Sequence, residues 1–550
     1  MPISTINVRS KRLQRFKNPH SLMIQGTTSD AGKSVLVTAI CRILARHHIA
    51  VAPFKSQNMA LNSAVTAEGG EIGRAQAVQA QGANIAPSIL MNPVLLKPNS
   101  DVGSQVIVNG QSIGNMKARE YHEFKPQLLQ QVITTYQRLQ QSYPVTIIEG
   151  AGSPAEINLR EHDIANMGFA QAIDCPVLIV ADIDRGGVFA HLYGTYALLS
   201  DTEQQRVAGF IINRFRGDVS LLQSGLDWLE QKTSVPTLAV IPYISNLHIE
   251  SEDAVAQVQQ KGDAKLFKIV VPLYPRASNH TDFDVLRLNP MIDCQFVRDA
   301  SLFSGADLII LPGSKNVSND LQWLKDNGWP QIIERHLRYA GKVMGICGGY
   351  QMLGEKIHDP LGIENTVTDK SANTIAGLGL LKIETTLAQT KTLTNAQGSS
   401  VLTGTPLHGY EIHAGISRGE DLERAWFKLQ SHKNNQSSQQ LNDSDEYYDG
   451  AINAYDSIRG TYLHGVFEGD QIRAEILSWA GMEQLEQFNY VEFREQQIER
   501  LADEVETVLP FATLANILQL DHLNDSALAQ PSSNDDTANS SKNSELNNVL

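Results

Sequence analysis

Residues 26–34 read GTTSDAGKS, and this stretch decides the fold of the first half of the chain. It follows an apolar run, LMI at 22–24, and a helical pattern of apolar residues begins directly behind it. A glycine-rich turn between a strand and a helix is the setting of a phosphate-binding loop, because its N–H groups and the helix N-terminus attract phosphate oxygens. The spacing is irregular: five residues separate Gly26 from Gly32, one more than in GxxxxGK[ST], and Thr27 replaces the usual first glycine.

The loop predicts ATP binding with Mg²⁺. Lys33 supplies a charge for the phosphates and Ser34 a hydroxyl for the metal. Glu149, at the end of VTIIE (145–149), is the candidate carboxylate for Mg²⁺, although a polar residue at a strand end has the same appearance. The nucleotide-binding residues expected from this stretch are Gly26, Thr27, Thr28, Asp30, Ala31, Gly32, Lys33 and Ser34.

Short apolar runs alternate with helical patterns up to residue 244, at 176–182 and 207–214 among others. This alternation is typical of a parallel sheet flanked by helices. Polar residues at the ends of these runs are expected at the ligand-binding edge of such a sheet. Asp182, Asp184 and Arg185 are candidate substrate contacts, and the amide of Asn213 either reads a nucleobase or forms a turn.

A second β/α series starts at FKIVVPL (267–273), so we expect two α/β domains, each built on a mainly parallel sheet with helices on its faces. The expected division is an N-terminal tail (1–20), a first domain (21–244), a linker (245–263), a second domain (264–510) and a disordered polar tail (525–550). Residues 431–446 are expected to be a polar surface insertion. The basic residues at 1–18 are compatible with targeting or phosphate contact, but a solvated segment explains them better.

Composition excludes several classes of protein. The net charge of −15 gives no general attraction to nucleic acid or to anionic membranes, and there is no apolar run of 18 residues to span a bilayer. Four scattered cysteines form no CxxC pair, which fits a reducing compartment. The sequence therefore predicts a cytoplasmic protein without a nucleic-acid or membrane partner.

Residues 345–349 read GICGG and match the nucleophile elbow, with cysteine in place of serine. The flanking glycines permit the strained turn that exposes the thiol of Cys347. The N–H groups of Gly348 and Gly313 are candidate donors to an oxyanion. A thiolate nucleophile needs a base, for which His464 in GTYLHG competes with His408 and His413 on position alone.

Several long motifs occur in one order along the chain. They are GTTSDAGKS (26–34), FKSQNMALNS (54–63), IIEGAGSPAEINL (147–159), ADIDRGGVFA (181–190), NRFRGD (213–218), GICGGYQMLG (345–354), GYEIH (409–413) and GTYLHGVFE (460–468). Over residues 21–510 the chain resembles the cobyric acid synthases, the glutamine-hydrolysing cobyrinate amidase family. The resemblance implies a dethiobiotin-synthetase-like ATP-binding domain followed by a class I glutamine amidotransferase domain.

The resemblance also implies a reaction and roles for particular residues. The reaction is ATP- and glutamine-dependent amidation of the b, d, e and g carboxylates of adenosylcobyrinic acid a,c-diamide, a corrinoid, in cobalamin biosynthesis. Cys347 becomes the nucleophile and His464 its base. The candidate substrate contacts are Lys55, Gln57 and Asn58. An equal alternative is that they are ordinary polar residues on the surface without a role in binding.

One position departs from the family pattern. Class I amidotransferases have a glutamate two residues after the histidine, where this chain has Val466. Glu411 is then a candidate to orient His464, and a structural salt bridge is an equal alternative.

Two other functions compete with this interpretation. One is cobyrinate a,c-diamide synthase, which FKSQNMALNS (54–63) disfavours. The other is a P-loop ATPase switch with a degenerate amidotransferase domain, which the intact cysteine elbow disfavours.

Overall fold

The computed structural model describes residues 16–99, 103–250, 266–364, 373–431, 446–483 and 488–522. Within these ranges the chain forms two α/β domains that contact each other, as the sequence predicts. Of the predicted tails, linker and insertion, residues 1–15, 251–263, 432–445 and 525–550 lie outside the described residues. Among the described residues, no helix has both the length and the apolar character needed to cross a bilayer.

The first domain is built on a six-stranded parallel sheet with the order β12-β11-β10-β1-β9-β2. Its strands are β1 (Ser21–Gly26), β2 (Val51–Phe54), β3 (Gln57–Met59), β4 (Ser63–Val65), β5 (Glu71–Gly73), β6 (Val94–Pro98), β7 (Gly103–Val108), β8 (Gln111–Lys117), β9 (Val145–Glu149), β10 (Val177–Asp182), β11 (Val207–Phe215) and β12 (Thr237–Pro242). Its helices are α1 (Lys33–Arg46), α2 (Arg74–Gly82), α3 (Ala118–Ser142), α4 (Met167–Ile173), α5 (Val188–Ala197), α6 (Asp201–Gln204) and α7 (Gln223–Thr233).

The central strands are buried along their whole length and mostly apolar because both faces of the sheet are covered. Along β1, Met23 packs into the core on one face, whereas Leu22 and Ile24 pack into the core on the other. This alternation follows from the two-residue repeat of a strand. A smaller sheet, β3-β6-β7-β8, extends from this domain towards the second.

The second domain contains a mainly parallel sheet with the order β15-β13-β16-β18-β26-β25. Its strands are β13 (Phe267–Pro272), β14 (Ala277–Ser278), β15 (Ile292–Val297), β16 (Leu308–Leu311), β17 (Gly313–Ser314), β18 (Lys342–Ile346), β19 (Lys356–His358), β20 (Thr374–Ala376), β21 (Glu384–Ser400), β22 (Pro406–Arg418), β23 (Phe427–Ser431), β24 (Glu446–Asp449), β25 (Ala451–Ile452), β26 (Ile458–Thr461) and β27 (Leu463–His464). The helices from here to the end of the described chain are α8 (Asp284–Leu288), α9 (Val317–Asp326), α10 (Trp329–Arg338), α11 (Gly348–Leu353), α12 (Asp470–Trp479), α13 (Tyr490–Val508) and α14 (Phe511–Ile517).

This domain also carries a second, mixed sheet that the sequence analysis did not foresee. Its centre is the long antiparallel pair β21 and β22, and β27 pairs with β22. The register places Tyr410 opposite His464. The mixed sheet therefore supports one wall of the site that contains His464.

The C-terminal helices belong to the first domain, which corrects the predicted boundary of 264–510 for the second domain. Leu501, Val505 and Leu514 are buried in the same core as Leu36 and Ile40 of α1. Buried Arg42 of α1 also pairs with two carboxylates of α13, on Glu495 and Glu499, at 2.8 and 2.5 Å. The chain thus returns to cover the helix of the phosphate loop after completing the second domain.

Parts of the predicted N-terminal tail and of the predicted linker also contact the domains. In the predicted tail, the N–H of Asn18 donates to the carbonyl of Asp174 (3.3 Å). In the predicted linker, the Glu250 carboxylate pairs with Arg74 (2.6 Å). Residues 16–20 and 245–250 therefore pack on the domains, and only the remainder of each predicted segment lies outside the described residues.

Candidate active site

Cys347 lies on a sharp turn between β18 and α11. Its backbone has φ 50° and ψ −107°, a conformation that a non-glycine residue adopts only under strain. The glycines around it are required by close packing: a Cβ atom on Gly349 would lie 2.1 Å from the carbonyl oxygen of Leu311. The turn places the thiol at the carboxyl edge of the parallel sheet, as the elbow motif predicts.

The imidazole of His464 lies close enough to this thiol to shift its pKa, and the thiol itself donates to the carbonyl of Ile412 (3.7 Å). Nδ1 of His464 lies 2.6 Å from Oδ2 of Asp282, and the N–H of Gly465 donates to Oδ1 of the same carboxylate (3.1 Å). Nδ1 is therefore the donor to Asp282, which leaves Nε2 for the sulfur. The three side chains form a thiol–imidazole–carboxylate arrangement of the kind used in nucleophilic catalysis.

The electrostatics of this arrangement favour the thiolate. Burial alone raises the pKa of the Cys347 thiol, but His464, through its charge and its hydrogen bond, and the charge of His413 bring that pKa below its ordinary value. Burial lowers the pKa of His464, but Asp282 and Cys347 together raise it to about 10. Both shifts favour a thiolate paired with an imidazolium, which is the reactive form of the nucleophile.

Asp282 is the functional residue that the sequence analysis missed, and the guess that Glu411 orients His464 is wrong. Glu411 instead accepts a hydrogen bond from Tyr447 and lies 3.5 Å from His413. The rival histidines have other places. His413 stacks on Tyr462 (3.8 Å between ring centres), and His408 lines a different cleft.

We expect Asp282→Asn to lower glutamine hydrolysis by about 10²-fold, because the imidazole loses the carboxylate that orients it and stabilises its charge. The pKa of His464 should fall and that of Cys347 rise, so alkylation of the thiol by iodoacetamide should require a higher pH. The measurement is the pH profile of alkylation together with glutamate release. Asp284→Asn is the matched control, because that carboxylate meets Arg287 (3.3 Å). An unchanged pH profile in Asp282→Asn would contradict this role.

Two glycines predicted as oxyanion donors lie beside the thiol and the imidazole. The N–H of Gly348 is among the groups that lower the pKa of the Cys347 thiol. Gly313 follows β16, and a Cβ atom there would lie 3.1 Å from Cε1 of His464. Both positions suit donors to an oxyanion formed at the sulfur, and the role itself remains a proposal.

A cavity of about 300 Å³ opens onto Cys347 and lies between the two domains. The second domain supplies Cys347, Gln351 and His464, and the small sheet of the first domain supplies Lys97, Gln105 and Gln111. The thiol site is therefore closed by the other domain rather than open to solvent on all sides.

The phosphate loop of the first domain is held in a compact shape. The ammonium of Lys33 donates to the carbonyls of Thr28 (2.9 Å), Ser29 (3.0 Å) and Gly152 (3.0 Å). A Cβ atom on Gly26 would lie 2.7 Å from the carbonyl oxygen of Thr28, and Gly32 has φ 95°, so both positions need glycine. The remaining predicted loop residues, Thr27, Asp30, Ala31 and Ser34, complete the turn into α1.

Glu149 and Ser34 come together as predicted, with the hydroxyl donating to Oε1 (2.8 Å). Buried Lys55 also pairs with Oε1 (3.0 Å), and Gln79 donates to Oε2 (2.5 Å). Burial raises the pKa of Glu149, but Lys55 and the hydrogen bonds keep it below its ordinary value. The carboxylate is therefore ionised, and its oxygens with the Ser34 hydroxyl fit Mg²⁺ that completes its shell with phosphate oxygens and water. Among the described residues there is no group of three or more His, Cys, Asp or Glu side chains placed to hold a metal.

The two aspartates at the end of β10 form ion pairs with arginines. Asp182 pairs with Arg214 (2.8 Å) and Asp184 with Arg216 (3.0 Å). Arg185 reaches back to Asp30 of the phosphate loop (2.8 Å). These exposed arginines border the loop.

Asn213, the candidate nucleobase reader, lies against the phosphate loop. Its amide Nδ2 donates to the carbonyl of Ala31 (3.0 Å), and a Cβ atom on Gly32 would lie 2.1 Å from it. The structure therefore gives Asn213 a role in shaping the loop. Nucleobase contact remains a prediction.

The three candidate substrate contacts of the FKSQNMALNS segment differ in exposure. Lys55 and Asn58 are buried, and Asn58 donates to Gln76 (3.0 Å). Gln57 accepts a hydrogen bond from Tyr121 (2.7 Å). All three line a cavity of about 630 Å³ together with Lys33 and Glu149. Binding of substrate by these residues remains a proposal.

Two family models match this chain, and each match contains one of the two candidate sites. Residues 22–255 match the CobQ/CobB/MinD/ParA nucleotide-binding domain, and residues 268–472 match the CobB/CobQ-like glutamine amidotransferase domain. The two matches together indicate an amidotransferase of the CobB/CobQ type. The phosphate loop lies in the first match, and Cys347, His464 and Asp282 lie in the second.

Solved structures resemble single regions of this CobB/CobQ amidotransferase. A crystal structure described as a glutamine amidotransferase is 15% identical and covers 39% of this chain and 99% of its own, with a TM-score of 0.29. PurLQS from Thermotoga maritima is 16% identical (43% and 96% covered, TM-score 0.25). The signal recognition particle receptor FtsY from Elizabethkingia anophelis is 13% identical (42% and 62% covered, TM-score 0.24). Similarities this low say nothing further about the sites.

Proposed function

We propose that this chain amidates carboxylates with nitrogen from glutamine and energy from ATP, and that its substrate is adenosylcobyrinic acid a,c-diamide, converted to cobyric acid in the cytoplasm. The observation that carries the proposal is the joining of two sites in one chain. A Cys347–His464–Asp282 arrangement faces the domain interface, and a phosphate loop with Glu149 lies in the partner domain.

The first half of the reaction releases ammonia. The thiolate of Cys347 attacks the side-chain amide carbon of glutamine, while the N–H of Gly348 faces the developing oxyanion. The imidazolium of His464 donates its proton to the departing nitrogen, and water then hydrolyses the thioester to glutamate. Asp282 keeps the imidazole in the orientation that both steps need.

The cavity beside Cys347 suits a free amino acid. Lys97 and Lys391 both pair with buried Glu71 (2.7 Å each), and Lys315 donates to Gln105. These three lysine side chains line the cavity, so they offer partners for an α-carboxylate. Among the described residues, no carboxylate lies within ion-pair distance of Lys315, which makes it the first candidate.

The second half activates an acid. A carboxylate at neutral pH has no leaving group, so the phosphoryl group of ATP must first form an acyl phosphate, which ammonia then displaces. Lys33 neutralises phosphate charge, and Ser34 and Glu149 would hold Mg²⁺. Water competes for the acyl phosphate, and the closed interface limits that loss.

The substrate class is supported by the motif resemblance and by the mouth of the larger cavity. Met59 and Leu159 line that cavity although they are 54% and 46% exposed. Ile157, on the same loop as Leu159, is 64% exposed. Exposed apolar side chains at a polar cavity suit a large macrocycle that presents carboxylates at its rim.

The test is mass spectrometry of the corrinoid after reaction with ATP and glutamine. Starting from the a,c-diamide, we expect four further amides, each lowering the mass of the product by about one unit relative to the acid. Amidation of cobyrinic acid at the a and c positions alone would instead assign the chain to a,c-diamide synthesis. ATP hydrolysis with no amide formed on either corrinoid would contradict the proposed function.

A further inference from the structure

The segment that crosses from the ATP site to the second domain ends on the residues that hold His464. It consists of the last six residues of FKSQNMALNS, 58–63. At one end, Asn58 donates to Gln76 (3.0 Å), whose own amide lies 3.5 Å from Oε2 of Glu149. The segment therefore starts on the carboxylate network of the phosphate site.

At its other end the segment binds the second domain through Asn62. The amide Nδ2 of Asn62 donates to Nε2 of His280 (2.8 Å), and its Oδ1 accepts from the backbone N–H of His280 (3.1 Å). Both atoms of one buried amide are thus used by one residue of the other domain. Burial lowers the pKa of His280 to about 4, so the ring is neutral near neutral pH, and the amide N–H of Asn62 then identifies Nε2 as the acceptor.

His280 belongs to the short turn that presents Asp282. The N–H of Ser63 donates to Oδ1 of Asn279 (3.1 Å), and the N–H of Asp282 donates to the carbonyl of Asn279 (3.0 Å). Asn279 itself has φ 53°, a strained conformation held by these contacts. The carboxylate that orients His464 therefore lies on a turn that the first domain binds at Asn279 and at His280.

A second contact reaches the same histidine. Tyr410 stacks on His464 with ring centres 5.3 Å apart, and its hydroxyl donates to the carbonyl of Ser63 (3.4 Å). Asn62 and its neighbour Ser63 thus contact both the turn that carries Asp282 and the ring that covers His464.

We propose that Asn62 is a positioning residue through which the ATP-binding domain holds His464 in its catalytic orientation. This inference rests on the proposed function. Because Asn62 acts only through His280 and Asp282, its loss should slow glutamine hydrolysis without weakening glutamine binding. It should also leave the ATP site able to use free ammonia.

The experiment measures glutamate release by the full chain in Asn62→Ala, Asn62→Asp and the wild type, with glutamine varied. We expect kcat to fall roughly 10-fold to 100-fold in Asn62→Ala, the effect of a misplaced catalytic group, with KM within about twofold. Alkylation of Cys347 by iodoacetamide at pH 7 should slow in parallel, whereas ammonium-driven amidation should persist. Asn62→Asp keeps the volume and the acceptor for the His280 N–H, so its loss should be smaller.

Asn395→Ala is the matched control. Asn395 also makes a hydrogen bond between the domains, to the carbonyl of Thr66 (3.1 Å), but it does not contact the turn at 279–282. Its kcat and alkylation rate should equal those of the wild type. Wild-type kcat in Asn62→Ala, or equal losses in Asn62→Ala and Asn395→Ala, would overturn the proposal. A wild type that releases no glutamate would instead overturn the proposed function, a result distinguishable from either.

Discussion

Cys347→Ala is expected to lower glutamine-driven amidation by more than about 10⁴-fold while leaving ammonium-driven amidation within about twofold of the wild type. The thiolate is the only atom in this account that forms a bond to glutamine, so no neighbouring group can replace it. Free ammonia enters the reaction after that step and needs only the phosphate site. The measurement is product formation with ATP and either nitrogen source.

Cys294→Ala is the control for this variant. Cys294 is a half-buried thiol on β15, and like Cys347 it belongs to the core of the second domain. It should retain both activities. Continued use of glutamine by Cys347→Ala, at more than a few per cent of the wild-type rate, would refute the assignment of the nucleophile.

Lys33→Ala is expected to lower amidation by about 10³-fold with both glutamine and ammonium. Its ammonium lies among the loop carbonyls of Thr28 and Ser29, where it is placed to meet the phosphates of a bound nucleotide. Removing one preorganised positive charge at a phosphoryl group costs transition-state stabilisation of this order. Hydrolysis of glutamine by the thiol does not require that charge and should continue.

The comparison for Lys33 is Lys232→Ala, which removes an exposed lysine at the end of α7. That variant should amidate at the wild-type rate. If Lys33→Ala retained ammonium-driven amidation, the activation of the acid would not depend on the loop, and the ATP site would have to lie elsewhere.

The sequence predicted those parts of the fold and the site that depend on local patterns. The runs at 22–24 and 177–181 are apolar at every position because helices cover both faces of the sheet, and this signal is visible in the chain alone. The two glycine-rich turns were also predictable, since only glycine fits beside Cys347 and at Gly32.

Features that depend on long-range packing were missed. Asp282 lies 182 residues before His464 in the chain, and no local motif joins them. One available signal was its place in the connection that leaves the carboxyl end of β13, because the carboxyl ends of parallel strands meet at one edge. Glu411 was a poor guess because it lies on β22, where its carboxylate meets Tyr447 and His413.

The place of the C-terminal helices could not be predicted either. Helix α13 has an apolar stripe flanked by acidic residues. This pattern fits packing against many different surfaces, so it does not identify the domain that the helix covers. Only the folded chain shows that Arg42 and Arg46 of α1 receive its carboxylates, with Glu499 lying 2.5 and 2.7 Å from them. Sequence order placed α13 in the second domain, whereas charge and apolar contacts place it on the first.

The central claim is that nitrogen released at Cys347 reaches an acid activated at the phosphate loop. The most direct measurement supplies glutamine labelled with ¹⁵N in its side-chain amide, with ATP, the a,c-diamide and an excess of unlabelled ammonium at low pH, where free ammonia is scarce. We predict amides that carry ¹⁵N, with one ADP formed for each. Unlabelled amides, or glutamate and ADP formed without any amide, would contradict it.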